Sequence, residues 1–383
     1  MGWISADAAL ALLGTKPQTL YANVSRGRIA ARPDPNDPRR SQYRQQDVER
    51  LAARRQGRRP AQAVAAETIA WGEPVLETRI STVVDGRLLY RGQDAVALAE
   101  TATLGAVARF LWQANAEVDF GGRARALAPG MPAAYRAVAE LAATDLPAGG
   151  RNRAVLLADA ARAVSFLAGA LAAPGSDPVH DRLARKWGRP QAADAIRRAL
   201  VLLAEHELNA STFAARVTAS TGAPLSAAVL SGLAALSGPL HGTASLGMAS
   251  LLERAQRDGA KAAVSAYLRQ GGALPCFGHP LYTDGDVRAA ALMKAFEMPT
   301  VFTELAQAGN SLTGERPNID FALSAMVRAF DLPTDAPLQI FALARSVGWI
   351  AHALEQIETG ALIRPRARYV GVEPAAGKVA PAE

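Results

Sequence analysis

Pro275-Cys276-Phe277-Gly278-His279-Pro280-Leu281-Tyr282, running on through Asp284 and Asp286 to Arg288, is the stretch on which the reading of this chain turns. Two prolines bracket one imidazole, so the backbone around His279 has little torsional freedom. A guanidinium follows nine residues later. A rigid loop presenting a polar side chain suits a site that must hold its geometry before a ligand arrives. Alone, a histidine in a Pro/Gly loop reads equally as a turn residue. Its meaning comes from the rest of the chain.

At 383 residues the chain has room for two or three domains. Half of it is hydrophobic and its mean hydropathy is near zero, enough for a globular core. Only 6% is aromatic and alanine abounds, which favours helix. One cysteine, Cys276, excludes an internal disulfide and fits a reducing compartment. With one Cys and five scattered His, a structural metal site is not expected. The start, Met1 to Asp7, lacks a basic segment followed by an apolar one, and no uninterrupted apolar run reaches about 18 residues. The expectation is a cytoplasmic protein with no membrane partner.

Charge is unevenly placed. Residues 1–60 hold twelve Lys and Arg against five Asp and Glu, whereas residues 61–383 hold thirty of each. The net +7 therefore belongs to the first 60 residues. A basic module on a neutral body points to a polyanion, with a solvated basic tail as the bland reading. Pattern favours the module. Ser5 caps a short helix with apolar residues at 9, 10, 12 and 13, and Gly14 stops it. Pro17 opens a second helix through Val24. A strand over 28–31, a Pro/Asp/Asn loop, a returning strand over 39–44 and a third helix over 47–55 follow. The order resembles the winged helix-turn-helix of excisionase-like and mercury-resistance-type regulators. That resemblance implies DNA binding, with Gln18, Thr19, Tyr21 and Asn23 facing a groove and Arg39, Arg40 and Arg44 near phosphates. The module is read as residues 1–58, and 59–66 as a linker.

Beyond it the chain reads as mainly α. Asp85-Gly86, between the apolar runs of 77–92, marks one hairpin. Helices are expected over 95–115, 151–172, 191–220, 225–236, 244–257, 259–270, 287–297, 300–308, 319–331 and 338–358, with 173–190 loop-rich. No parallel-strand repeat and no solenoid period is present. Four polar anomalies interrupt the helical pattern. His206 lies in an apolar helix, His241 lies between glycines, His279 precedes Arg288, and Asp320 opens an apolar helix. Taken singly, His206 reads as a satisfied core histidine, His241 as a turn residue and Asp320 as a first-turn acid.

Together and in this order they resemble one family, the citrate synthases. The matching motifs are His-Glu-Leu-Asn-Ala-Ser-Thr-Phe (206–213), Gly-Pro-Leu-His-Gly (238–242), Phe-Gly-His (277–279) with Arg288, and Pro-Asn-Ile-Asp-Phe (317–321). Ala-Arg-Ser-Val-Gly-Trp-Ile-Ala-His (344–352) and Arg-Pro-Arg-Ala-Arg-Tyr-Val-Gly (364–371) complete them. The hairpin segment 77–92 is similar to the family's opening. The resemblance spans about 67–371.

It implies a large helical domain over 67–241 and 326–383 and a small one over 242–325 that closes over substrate. It further implies an acyltransferase that condenses acetyl-CoA or propionyl-CoA with oxaloacetate, giving citrate or 2-methylcitrate and CoA. No permanently bound cofactor or metal is implied. By the same resemblance Asp320 is the base, His241 the donor to the enolate and His279 the group that polarises the keto carbonyl. His206, Arg288 and Arg345 would bind oxaloacetate, Arg364 would reach across a homodimer, and His352 is read as structural. Three departures stand out, one being the absence of the Lys common upstream of the Asn-x-Asp-Phe motif. Gly242-Thr-Ala-Ser-Leu246 replaces a common Gly-Gly-Ala-Asn-Glu, and Pro280 replaces a basic residue, so the acyl-CoA end differs while the oxaloacetate constellation is intact. Two other functions stay open: a transcription regulator using this body as a metabolite sensor, and cleavage of citryl-CoA.

Overall fold

The computed structural model describes residues 3–13, 17–25, 29–34, 37, 41–48, 76–121, 129–173, 175–239, 241, 246–367 and 371. The chain divides into two compact units, Met1–Glu77 and Thr78–Glu383.

In the first unit, β1 (Trp3–Ser5), α1 (Ala6–Leu13), α2 (Pro17–Ser25), β2 (Ala31–Pro33) and β3 (Ser41–Arg44) follow in order. The strands form an antiparallel sheet in the order β1-β3-β2. Ser5 Oγ accepts from the Ala8 amide at 3.3 Å, as a capping serine should. Strand β1 was not expected from the sequence; its three residues are too few to show a period, and pairing with β3 creates it. A small core gathers Ala9, Leu13, Leu20, Ile29, Tyr43 and Val48. The expected third helix starts as a helical turn at 45–48, and the rest of it lies outside the described residues, as do the 59–66 linker, Arg39 and Arg40.

The second unit opens with the hairpin of β4 (Ser81–Val84) and β5 (Arg87–Tyr90), with β6 (Gln93–Asp94) at its edge. Asp85 and Gly86 take φ of 50° and 70°, the left-handed pair that a two-residue hairpin turn requires. Helices follow: α3 (Ala95–Thr101), α4 (Leu104–Trp112), α5 (Met131–Thr144), α6 (Arg153–Leu171), α7 (Val179–Lys186) and α8 (Ala193–Leu203). Next come α9 (Ala210–Ser220), α10 (Leu225–Leu236), α11 (Leu246–Asp258) and α12 (Ala260–Leu268). The last four are α13 (Val287–Met293), α14 (Thr300–Thr313), α15 (Ile319–Phe330) and α16 (Ala336–Thr359).

Three expectations need correction. The periodic run 95–115 is two helices, because Thr103 caps α4 by accepting from the Ala106 amide. The loop-rich 173–190 contains α7. The long helix over 191–220 breaks at 204–209, where Asn209 accepts from the Ser211 and Thr212 amides and starts α9. Helix α6 has a mean hydropathy of 1.7 and is long and apolar enough to cross a membrane by composition alone. Arg153, Asp159 and Arg162 interrupt it, and Leu156, Val164 and Leu167 pack into the core.

Helix α16 is the axis of the main core. Its residues are buried on every side from Ile340 to Leu354, the mark of a helix wrapped by others. A second core joins Met248, Leu251, Val264, Phe302, Leu305, Phe321 and Ala325. Helix α15 serves both, with Phe321 and Ala325 in the second and Ile319, Ala322, Leu323 and Met326 in the main one. Asp320 therefore lies at the start of the helix that the two cores share.

Candidate active site

The loop 275–288 and the start of α15 are zipped together. Gly278 N donates to Arg316 O at 2.9 Å, Asn318 N to Cys276 O at 3.0 Å, and Asn318 Nδ2 to Gly278 O at 3.1 Å. Cys276 and Gly278 take φ of 63° and 70° to make this turn. At Gly278 a Cβ would also meet the Glu315 carboxylate at 2.4 Å, so both the conformation and the space call for glycine. His279 and Asp320 are thus held on one frame.

Asp286 anchors that frame. It caps α13 by accepting from Arg288 N at 3.0 Å and grips the Arg288 side chain at 2.9 Å (Nε) and 2.8 Å (Nη2). It also accepts from the Ile319 amide at 3.0 Å, tying α13 to α15. Burial alone would raise the Asp286 carboxyl, but Arg288 outweighs it and holds it low. For Arg288, burial works downward and Asp286 prevails, leaving the guanidinium more firmly charged.

Around Arg288 three rings meet. His206 and His279 lie edge to face at 5.1 Å, and Tyr282 is 5.6 Å from His206 and 5.0 Å from His279. Tyr282 Oη is 2.9 Å from His206 Nε2, and Arg288 stacks 5.1 Å from the Tyr282 ring. Leu281 N donates to His279 Nδ1 at 3.2 Å. Burial, then Arg288, pushes His279 down to about 4, so the ring is neutral and its proton sits on Nε2. His206 lies well below its ordinary value through burial, then Arg288 and Arg345.

The break that carries His206 is pinned from below. Tyr90 Oη accepts from Glu205 N at 3.2 Å, and Ser81 Oγ donates to Glu205 Oε1 and accepts from Glu207 N, both at 3.0 Å. His352 Nε2 reaches the same Glu205 Oε1 at 3.0 Å, while its Nδ1 is 3.3 Å from Arg216 Nη1. A Cβ on Gly348 would stand 2.2 Å from Glu205 Oε2, so glycine makes room for this buried carboxylate. His352 is a support of the site.

His241 stands on a second network. Ser211 Oγ is 2.8 Å from His241 Nε2, accepts from Trp349 Nε1 at 3.0 Å, and lies 2.7 Å from Asn209 Oδ1. Asn209 Oδ1 and His241 Nε2 compete for one hydroxyl proton. Donation to Nε2 leaves the His241 proton on Nδ1, the tautomer that can donate to a substrate oxygen. Burial, then Arg345, pushes His241 down to about 4.

Two groups keep open hydrogen-bonding capacity among the described residues, although Glu205 offsets Arg345, and Arg288 and Arg345 offset Asp320, at longer range. Arg345 is 1% exposed, donates from Nε to Leu203 O at 2.8 Å and lies over Phe341. Its terminal nitrogens form no hydrogen bond and no ion pair among the described residues. Burial pushes it down to about 10. Such a guanidinium calls for an anionic ligand. Asp320 accepts no hydrogen bond at its carboxylate from a described residue, and burial pushes it up to about 6 against the pull of Arg288.

The structure therefore gathers His206, His279, Arg288, Arg345 and Asp320 into one electrostatic neighbourhood, with His241 in range of Arg345 and His206. Arg364 is exposed after α16 and makes no hydrogen bond or ion pair to this cluster within one chain. Sequence reasoning passed over Tyr282, Asp286 and Ser211 as working residues, although each lies inside a motif it had picked out. Residues 242–245 lie outside the described residues. Among the described residues no cluster of His, Cys, Asp and Glu is arranged to hold a metal.

In the first unit, Thr19 and Tyr21 are exposed on α2, Tyr21 by 58%. Asn23 Nδ2 donates to Thr19 O at 2.8 Å, so that side chain is engaged within its own helix. Arg44 ends β3, and the side chain of Gln18 lies outside the description.

Residues 128–366 match the family model "Citrate synthase, C-terminal domain". Citrate synthase 2 of Bacillus subtilis is 36% identical over 193 residues, 48% of this chain and 52% of the relative. 2-Methylcitrate synthase 1 of Corynebacterium glutamicum is 35% identical over 195 residues, 47% of this chain and 51% of the relative. The chain spans about half the length of the curated relatives it matches. The Thermoplasma acidophilum citrate synthase, solved as a ternary complex with carboxymethyl coenzyme A and oxaloacetate, superposes with a TM-score of 0.64 at 26% identity. That match covers 80% of this chain and 96% of the other.

Proposed function

The chain belongs to the citrate synthase family, and from that premise we propose that it condenses an acyl-CoA with oxaloacetate and hydrolyses the resulting thioester to release CoA. The observation that carries this reading is the buried Arg345 beside Arg288, its terminal nitrogens unbonded among the described residues, with neutral imidazoles and a carboxyl poised at about 6. Asp286 pairs with Arg288, and the open terminal nitrogens of Arg345 suit a carboxylate of a dicarboxylate. Names such as citrate synthase and 2-methylcitrate synthase among the relatives support acetyl-CoA and propionyl-CoA as donors.

Each residue then has a task. The proton beside a thioester carbonyl is a weak acid, so its removal needs a base together with a donor to the developing oxyanion. Asp320, unpaired and partly desolvated, is the base. His241 is the donor once Ser211 has set its tautomer. His279, with its proton on Nε2, donates to the keto oxygen of oxaloacetate and protonates the alkoxide after the carbon–carbon bond forms. Arg288, Arg345 and His206 hold the carboxylates, and Arg364 serves the neighbouring subunit of a homodimer. Acyl-CoA is a co-substrate, and no resident cofactor takes part. Residues 242–325 act as a small domain whose closure excludes water from the enolate; the separate core beneath α11, α12 and α14 supports that division.

The test is thiol release. Full-length protein with oxaloacetate and acetyl-CoA or propionyl-CoA should liberate free CoA, and Asp320→Asn should not. Wild-type release no greater than the variant's, with both thioesters, would overturn the enzyme reading.

A second activity is favoured by the first unit. Its excess positive charge, two short helices and small sheet support a winged helix-turn-helix that binds duplex DNA. Retarded migration of duplex DNA that weakens steeply with salt is expected; its absence at low salt would remove this activity and leave the enzyme reading standing.

A further inference from the structure

We propose that the outer face of the β1-β3-β2 sheet is a phosphate-backbone contact for duplex DNA, with Arg32 held by Trp3 and Gln42 as its principal donor. The inference rests on the reading that the first unit binds DNA, and it names residues that the helix-turn-helix resemblance did not supply.

Strand register places the residues. Trp3 pairs with Arg44 and Gln42 with Arg32, so alternation puts Trp3, Gln42, Arg44 and Arg32 on one face. Ile4 and Tyr43 point the other way, and Tyr43 is 2% exposed in the small core. The outward face is therefore basic, with one indole on its edge strand β1.

Arg32 is preset rather than loose. Its guanidinium carbon lies 4.4 Å from the Trp3 ring centroid. Gln42 Oε1 accepts from its Nε at 3.2 Å and its Nη2 at 2.9 Å. Gln42 Nε2 in turn donates to Asp34 Oδ2 at 3.2 Å, which fixes the amide with its oxygen toward Arg32. Three of the five guanidinium N–H groups, both of those on Nη1 included, remain for a ligand. Arg32 is exposed and forms no ion pair among the described residues.

Arg44 is the weaker partner. It lies 5.8 Å from the same ring, and its Nε is 4.0 Å from Asp47 Oδ2, so part of its charge is offset. A planar fork immobilised on an indole matches the paired oxygens of a phosphate and loses little side-chain freedom on binding. An isolated surface stack that only stiffens the sheet would have no effect on DNA.

The experiment uses the full chain and a fluorescently labelled, mixed-sequence duplex of about three helical turns, titrated by anisotropy over a salt series. Arg32→Ala should weaken binding about tenfold at low salt and flatten the log–log salt slope by about 0.9, the loss of one phosphate contact. Arg32→Lys should keep the slope and lose part of the affinity. Trp3→Leu should weaken binding without changing the slope, since it removes the support and not the charge. CoA release should be unchanged in all three. If the wild type binds no duplex at low salt, the DNA-binding reading fails and this proposal with it. If the wild type binds while Arg32→Ala matches it in affinity and slope, this proposal alone is overturned. Binding to a poly-glutamate peptide as tight as to duplex would overturn the assignment to DNA.

Discussion

The two sides of the candidate site differ in how completely they are satisfied. On one side Asp286 alone serves the Arg288 fork, the cap of α13 and the start of α15, while Tyr282 bridges His206 and His279. On the other, Asp320 has no partner for its carboxylate among the described residues, and His241 shares one hydroxyl proton with Asn209 through Ser211. The bonded cluster around Arg288 holds a shape, while Arg345 and His279 Nε2 keep donors open for the ligand. A carboxyl left desolvated and unpaired holds reactivity, because its charged form is costly and its basicity rises. The contrast fits a site that recognises its acceptor with a prebuilt surface and keeps the proton-transfer group poised.

The contrast breaks most visibly at Asp320. Asp320→Asn should lower kcat by about 100- to 10,000-fold while leaving oxaloacetate affinity, read by calorimetry, within a few-fold. Asp286→Ala attacks the bonded side. It strips a buried guanidinium of its partner and should cost about 3–5 kcal/mol in urea unfolding, with oxaloacetate binding lost as well. If Asp286→Ala left stability unchanged, the bonded side would not be the rigid element described. Ser211→Ala removes the hydroxyl that sets the His241 tautomer. A kcat lower by about tenfold or more, with a near-constant KM for oxaloacetate, is expected; an equal rise in KM would place Ser211 on the recognition side instead.

The pH dependence sharpens the same comparison. With Asp320 at about 6, kcat/KM should fall about tenfold per unit as pH drops below that value. His241 and His279, at about 4, stay neutral through this range and add no second limb there. Their effect is on stability. Folded they titrate near 4, unfolded near 6.5, so the stability present above 6.5 is lost as pH falls toward 4. Unfolding midpoints between pH 7 and 4.5 check this.

Local chemistry made much of the fold legible. Asp85-Gly86 announced its hairpin, α10 fell at 225–236 as expected, and the helix expected over 319–331 runs Ile319–Phe330. The break at 204–209 was hidden because residues 193–220 have continuous helical propensity. Contacts from Tyr90, Ser81 and His352, distant in sequence, impose it. For the same reason Tyr282 and Ser211 passed unnoticed: a loop tyrosine and a first-turn serine carry no signal until folding sets them against His206 and His241. Asp286 was only one acid in the opening stretch; its capping of α13 and its grip on Arg288 needed the structure.

The most direct test of the central claim is exchange of the thioester α-hydrogens of acetyl-CoA with deuterated water, followed by mass spectrometry. The exchange is run with a dicarboxylate analogue of oxaloacetate that lacks the keto group and so cannot condense. The account predicts exchange that needs both the dicarboxylate and the Asp320 carboxylate, and that disappears in Asp320→Asn. Exchange at the same rate in the variant, or no exchange in a wild type that releases CoA from the full reaction, would contradict Asp320 as the base.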